Sequence, residues 1–325
     1  GIAAVEGITA VGKAIGIKKS GKKDLALLYS SAPCNAAAVY TKNHVKGAPL
    51  AVTKSHLEHG KAQAIVVASG VANVCTGTKG IKDAEKMAEL AASELGLKKD
   101  DVLVASTGVI GAFLPMGIIE NGIKGMGKSL SKKGVDAAEA ILTTDAGIKQ
   151  AAVRIGNITI GAIAKGAGMI HPNMATMLCF IFTDAKFPSA KLNTMLKKAA
   201  DASFNMISVD MDTSTSDMAI LMANGLKGEI GEHKFQEGLN AVCIALAKKV
   251  VTDGEGATKL IEVIVKDARA VEQARSLARS VISSNLVKAA CFGNDPNWGR
   301  ILAAMGKCSE WFDSNKVDIF IQTHQ

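Results

Sequence analysis

The sequence has few aromatic residues and few prolines, and it lacks a long uninterrupted apolar segment. Phe, Trp and Tyr together make up 4% of the 325 residues, which argues against a protein that stacks the bases of single-stranded nucleic acid. Six prolines are too few for a proline-rich, low-complexity chain. No apolar run reaches the roughly 18 residues that a membrane-spanning helix requires, so we predict no membrane association.

Cysteine pairs at redox or zinc-binding spacing are absent as well. The six cysteines include no C-x-x-C pair, and most lie among apolar residues or glycines, where cysteine behaves as a small hydrophobic side chain. A disulfide framework would be unusual in a chain of this length. We therefore predict a protein of the reducing cytoplasm.

A dense basic block is the third absence, although the net charge is +8. The lysines are spread along the chain, and a solvated surface explains most of them. We predict no nucleic-acid partner, whereas an anionic small molecule stays open as a ligand.

Apolar residues make up 48% of the chain, which is enough for one large domain or two ordinary ones. Amphipathic periodicity predicts a helix over 83–95, with Asp83 as its N-cap and Gly96 at its carboxyl end, and three further helices over 190–202, 236–251 and 271–286. Short apolar segments predict strands over 25–29, 64–68, 102–105, 158–163, 177–182 and 259–265. This mixture favours an α+β protein built in layers.

Three stretches are rich in small polar residues beside apolar segments: 164–177, 203–217 and 291–300. Such residues allow close approach of the backbone and supply hydrogen-bonding groups, which a binding pocket needs. Ordinary loops explain any one of these stretches equally well, so the pattern alone assigns no function.

Two motifs suggest other chemistries but lack the required context. Residues 122–129 match G-x-x-x-x-G-K-[ST], yet no buried strand precedes them and no long helix follows, so we do not predict ATP or GTP binding. Asp210, Asp212 and Asp217 suggest magnesium, but their spacing is not that of an EF-hand loop. His171 has no second histidine at zinc-binding spacing, so we predict no metal and no bound cofactor.

Thr176 precedes an apolar segment, where a threonine is usually an ordinary strand residue. An amino-terminal threonine, however, is an activated nucleophile because its own α-amine can act as the base for Oγ. The pKa of an α-amine, roughly 7.7–8.0, suits that task near neutral pH. An internal threonine gains the amine only if the preceding peptide bond, here that of Ala175, is cut.

The segment KGAGMIHPNMATML, at 165–178, resembles the self-cleavage segment of the ornithine acetyltransferase family, also called glutamate N-acetyltransferase. Five further segments resemble the family in the same order: SGVANVCTGTKG at 69–80, STGVIG with LPM at 106–116, LTTD at 142–145, DGEGATK at 253–259, and 284–306 with DPNWGR. The resemblance covers nearly the whole chain. It implies an α+β fold of layered mixed β-sheets flanked by helices, αββα-like, as in the related aminopeptidases.

The resemblance also implies a reaction. Thr176 would attack the carbonyl of Ala175, and the cut would leave an amino-terminal subunit, 1–175, associated with a carboxyl-terminal subunit, 176–325. Thr176 would then carry the acetyl group from N-acetylornithine to glutamate in arginine biosynthesis by a ping-pong mechanism. Acetyl-CoA is an open second donor, and the expected assembly is a dimer of heterodimers.

Individual residues take roles by the same resemblance. Thr107 and Gly108 would form the oxyanion hole. Thr143, Lys165, Thr176 and Glu255 would bind substrate, with Lys165 suited to a carboxylate and Glu255 to an ammonium group. The family continues beyond the segment near 317–321 into a tail that helps bind substrate, whereas this chain stops at Gln325. Two alternatives stay open: an amino-terminal-nucleophile aminopeptidase or amidase, because the family resembles a fold group that contains an aminopeptidase, and an inactive truncated family member, because the tail is missing here.

Overall fold

The computed structural model describes residues 1–171 and 177–323, which form a mixed β-sheet flanked by helices. The strands are β1 (Ile8–Lys13), β2 (Leu25–Tyr40), β3 (Lys61–Val71), β4 (Val102–Val109), β5 (Lys149–Ile155), β6 (Ile158–Lys165), β7 (Leu178–Ala185) and β8 (Met218–Gly228). The α-helices are α1 (Ala48–His56), α2 (Gly77–Leu95), α3 (Met116–Ile123), α4 (Val135–Ala140), α5 (Ser189–Ala202), α6 (Glu232–Thr252), α7 (Val271–Ile282), α8 (Asn285–Phe292) and α9 (Trp298–Gly306).

The long strand β2 joins the two halves of the sheet. The strand order is β4-β3-β2-β8-β7-β6-β5, and β1 pairs with the first part of β2. The register shifts between Tyr29 and Cys34, after which β2 pairs with β8 through residues 35–40. Only β3–β4 and β7–β8 are parallel pairs among the described strands.

Alternation along the strands builds a layered core. Leu28 and Ile65 from one half of the sheet share a buried cluster with Phe180 and Ile220 from the other half. The opposite faces are covered by helices, with α2 and α3 on β2–β4 and with α5 and α6 on β5–β8. Each fully buried large side chain contributes about 1.5–3 kcal/mol through apolar burial. The predicted layered α+β fold is thereby confirmed.

The sequence pattern predicts the buried face and the carboxyl end of helix α2 correctly, but not its start. Met87, Ala88 and Ala91 are buried at helical spacing, and Gly96 ends the helix with a φ of +67°. The helix begins at Gly77, however, so the prediction of Asp83 as the N-cap was wrong. Asp83 lies inside the helix, where its carboxylate accepts a hydrogen bond from Lys79 at 2.6 Å, one turn earlier.

Two other predictions need correction near the carboxyl end. The short apolar segment 259–265 belongs to no strand, because no neighbouring strand bonds to it within the described residues; Leu260 and Ile264 are exposed instead. The predicted helix over 271–286 is divided at Ser284, whose side chain caps α8 by accepting a hydrogen bond from the amide of Val287.

The phosphate-loop match at 122–129 occupies the end of α3 and a short 3-10 turn. The amides of Gly125 and Gly127 donate to the Glu94 carboxylate at 3.1 and 3.0 Å, so an internal partner already takes the groups that would hold phosphate.

None of the helices in the described ranges is both long enough and apolar enough to cross a bilayer.

Candidate active site

Three strand ends meet at one edge of the sheet. Lys165, the last residue of β6, pairs with Leu178 at the start of β7, and Leu178 pairs with Met218 at the start of β8. The amide of Met218 also donates to the carbonyl of Met177 at 3.1 Å. The predicted cleavage residues, Ala175 and Thr176, lie outside the described residues, but the chain on both sides of them is at this edge.

The segment that precedes the predicted cut is held by the Asp210 carboxylate. This group accepts hydrogen bonds from the amides of Met169, at 2.5 Å, and Ile170, at 2.9 Å. The amide of Val209 adds a bond to the carbonyl of Ile170 at 2.7 Å. Asp210 therefore binds backbone, and no cluster of three or more metal-ligating side chains occurs in the part of the chain that the structure describes.

His171 ends this segment between two side chains. Its Nε2 lies 3.2 Å from the Arg279 guanidinium, and its Nδ1 lies 3.0 Å from Ser208 Oγ. A guanidinium only donates hydrogen bonds, so Nε2 accepts. Burial lowers the pKa of His171, and the positive charges of Arg279 and Lys288 lower it further. The imidazole is accordingly neutral near neutral pH.

Thr107 and Gly108 lie within β4, near its carboxyl end. Gly108 pairs with Gly70 of β3 and has a φ of +131°. A Cβ at Gly108 would lie 2.3 Å from the carbonyl carbon of Gly70, so no other residue fits this close approach. Thr107 is buried, whereas Gly108 is exposed and leaves its backbone accessible.

A hydrogen bond joins β3, beside Thr107, to the end of α4, which directly precedes the loop that contains Thr143. Ser69, which pairs with Thr107 across β3 and β4, donates from Oγ to the carbonyl of Ala140 at 2.5 Å. Lys18 packs beside Gly70, the partner of Gly108. The pKa of Lys18 is lowered to about 8, chiefly by burial; the nearby charge of Lys165 acts in the same direction, whereas the charges of Asp24 and Asp145 oppose it.

Lys165 donates from Nζ to Thr143 Oγ1 at 3.0 Å, so two of the predicted substrate-binding residues are in direct contact. Burial lowers the pKa of Lys165, while the carboxylates of Asp145 and Asp217 oppose that effect. The ammonium group therefore lies in a partly desolvated site, where attraction to an anionic ligand is stronger than in water.

Glu255 contacts the same segment. Its amide donates to the carbonyl of Ala167 at 2.9 Å, and its carboxylate lies against Gly168, where a Cβ would be 2.5 Å from Oε1. The structure thus brings Thr143, Lys165 and Glu255 together around residues 165–168.

Three charged residues of this region were missed as site candidates in the sequence, and a fourth, Asp217, was considered only as a magnesium ligand. Asp145 and Asp253 lie inside the motifs that resemble the family, and this position is the only sequence feature that could have indicated them as site residues. Lys149 is only 2% exposed, and a lysine at the start of a strand gives no sign of such burial in the sequence. Asp217 is buried with an Oδ2 that bonds to no described residue, and burial raises the pKa of its carboxyl group well above the usual value.

Comparisons with known sequences identify the family. A model of the ArgJ family matches residues 9–325. The arginine biosynthesis bifunctional protein ArgJ of Symbiobacterium thermophilum is 52% identical over 99% of this chain and 83% of its own length. The protein of the same name from Thermotoga neapolitana is 48% identical over 94% of this chain and 80% of its own length.

Two solved structures resemble the chain. Arginine biosynthesis bifunctional protein ArgJ from Bacillus halodurans is 42% identical, with a TM-score of 0.50 over 54% of this chain and 94% of that one. Ornithine acetyltransferase from Mycobacterium tuberculosis, complexed with ornithine, is 41% identical, with a TM-score of 0.52 over 54% of this chain and 96% of that one. This chain belongs to the ArgJ family of arginine-biosynthesis proteins.

Proposed function

We propose that the protein transfers an acetyl group from N-acetylornithine to glutamate, with Thr176 as the nucleophile. The contact of Lys165 with Thr143, together with the contact of Glu255 with Ala167, is the observation that supports this most directly. An N-acetylated diamino acid has a carboxylate for Lys165 and a side-chain ammonium for Glu255. The solved relative complexed with ornithine supports the same substrate class.

Maturation precedes transfer in this proposal. Thr176 Oγ attacks the carbonyl carbon of Ala175, the C–N bond breaks, and the α-amine of Thr176 is released as an ester forms. Water then hydrolyses the ester and leaves the carboxylate of Ala175. Each solved relative aligns almost whole with 54% of this chain, about 175 residues, which is the length of the fragment that this cut would release.

In transfer, Thr176 Oγ attacks the acetyl carbonyl while the α-amine takes its proton and passes it to the departing amine of ornithine. The amine of glutamate then attacks the acetyl ester, and Thr176 Oγ regains its proton. Thr107 and Gly108 stabilise the developing oxyanion, since Gly108 presents accessible backbone beside Gly70.

The sheet explains why both fragments would remain associated. Fragment 1–175 contributes β6 and β2, and fragment 176–325 contributes β7 and β8, so the pairs β6–β7 and β2–β8 cross the cut. The division at Ala175–Thr176 is therefore chemical and does not separate two domains.

Intact mass spectrometry and an acetyl-exchange assay together test the proposal. We expect two fragments that divide before Thr176, and labelled acetyl that passes from N-acetylornithine to glutamate. Thr176→Ala should abolish both. Hydrolysis of N-acetylornithine without transfer would contradict the proposal and favour an amidase. The relatives' description as bifunctional supports acetyl-CoA as a second donor, which the same assay tests by replacing N-acetylornithine.

A further inference from the structure

Lys149, at the start of β5, is a buried lysine held between two carboxylates. Its side chain is 2% exposed, and Nζ lies 2.6 Å from Asp145 Oδ1 and 2.5 Å from Asp253 Oδ2. Removing charges from water is costly, and the cost is recovered only when the geometry and the remaining hydrogen bonds are favourable. We call these three residues the buried charge cluster.

The two carboxylates also bind backbone on either side of Lys149. Asp145 accepts hydrogen bonds from the amide of Gly166 at 2.6 Å and from the amide of Thr143 at 2.9 Å. Asp253 accepts one from the amide of Ala146 at 3.1 Å. The cluster therefore joins the end of α6, the start of β5, the end of β6 and the loop between α4 and β5.

Each anchored segment lies next to a residue proposed to bind substrate. Gly166 directly follows Lys165, and Thr143 receives the hydrogen bond from Lys165 Nζ. Asp253 lies two residues before Glu255, whose amide in turn bonds to Ala167. Lys165 and Glu255 are thus connected to each other through Asp145, Lys149 and Asp253.

We propose that the buried charge cluster positions Lys165 relative to Glu255 and so selects diamino acids by chain length. The inference rests on the proposed function, because it takes these two residues as the binding groups for the two ends of the substrate. A role in packing alone would not require charge, since apolar replacements of buried ion pairs are often neutral or stabilising.

The substitution Asp253→Asn tests the proposal in the full chain. It leaves Lys149 paired one to one with Asp145, so neither of these buried charges loses its partner, but it weakens the link to the end of α6. The matched control is Glu232→Gln, which removes the same charge from the exposed ion pair with Lys191 at the other end of α6.

Titration calorimetry with L-ornithine and L-lysine, which differ by one methylene, gives the readout. We expect Asp253→Asn to weaken ornithine binding roughly tenfold and lysine binding about twofold, and Glu232→Gln to leave both unchanged. Asp253→Glu, which restores the charge, should give an intermediate ratio of the two dissociation constants. A ratio that stays at the wild-type value in Asp253→Asn would overturn the inference, because general destabilisation affects both ligands equally.

Acetyl exchange by the wild-type protein separates this inference from the proposed function. Binding of ornithine without exchange would contradict the proposed transfer. The ratio of the two dissociation constants in Asp253→Asn would still decide the role of the cluster. Exchange together with an unchanged ratio in Asp253→Asn would support the transfer and overturn the role of the cluster. A wild-type protein that binds neither ligand would overturn both.

Discussion

Lys165 combines a charge with partial burial, and the balance between them depends on its neighbours. Burial and Lys149 lower its pKa, whereas Asp145, Asp217 and Glu255 raise it. The cation that binds a carboxylate is present below this pKa and is lost as pH rises through it. The loss accordingly begins at a lower pH than for an ordinary lysine.

Asp145→Asn should lower the pKa of Lys165 further, because Asp145 is the strongest of the opposing charges. The alkaline loss of ornithine binding should then move to lower pH than in the wild-type protein. Calorimetric titration between about pH 6 and pH 10 measures this shift. Identical pH profiles for the two proteins would contradict the electrostatic account of Lys165.

Gly108→Ala should destabilise the protein and abolish transfer. The new Cβ would meet the backbone of Gly70 at 2.3 Å, in a backbone conformation with a φ of +131°. We expect a loss of about 3 kcal/mol in the free energy of unfolding, measured with urea. Gly111→Ala is the matched control, since its φ is +83° but no atom lies within 4 Å; it should lose only about 1 kcal/mol.

The sequence predicts some of these residues and cannot predict others. Lys165 and Glu255 are predicted as substrate-binding residues because the resemblance gives these positions of the motifs a role. Lys149 is different, because its burial depends on Asp253, 104 residues away along the chain. A single lysine at the start of a strand indicates solvent exposure in most proteins, and only the fold reverses that expectation.

At the level of elements, the best predictions were those in which local pattern and tertiary packing agree. Helix α5 (Ser189–Ala202) matches its predicted range within one residue because its apolar stripe is the buried face. Segment 259–265 is a short apolar run of strand length, but it has no neighbouring strand in the described chain. A strand requires a partner for its backbone groups, and that requirement is not visible in one segment.

The segment before the predicted cut offers a test at this scale. Asp210→Ala removes the carboxylate that binds the amides of Met169 and Ile170, at a cost of about 1.5–3 kcal/mol for charge-assisted hydrogen bonds. We expect slower cleavage before Thr176. Intact mass spectrometry at successive times measures the rate. Asp212→Ala is the control, because only the backbone amide of Asp212 bonds to Asp210. Equal rates in both variants would contradict a role for Asp210.

For the whole molecule, the central feature is a sheet that continues across the proposed cut. Motif order indicated the family and its layered architecture, and the structure adds how β2 connects the two halves. The strand order itself was not predictable, since β2 and β8 pair across more than 170 residues of sequence and no local pattern records that contact.

The cleaved protein should therefore behave as one unit. We expect both fragments to elute together in size-exclusion chromatography and to unfold in a single transition, because β6–β7 and β2–β8 pairing and a shared buried cluster hold them together. Separation of the fragments under native conditions would show that the sheet does not bridge the cut.

The most direct test of the central claim is the mass of the fragment that begins with Thr176. After incubation with N-acetylornithine alone, we expect this fragment to gain one acetyl group, which glutamate then removes as N-acetylglutamate. A fragment that transfers acetyl to glutamate without ever carrying it, or a chain that remains uncut, would contradict Thr176 as the nucleophile.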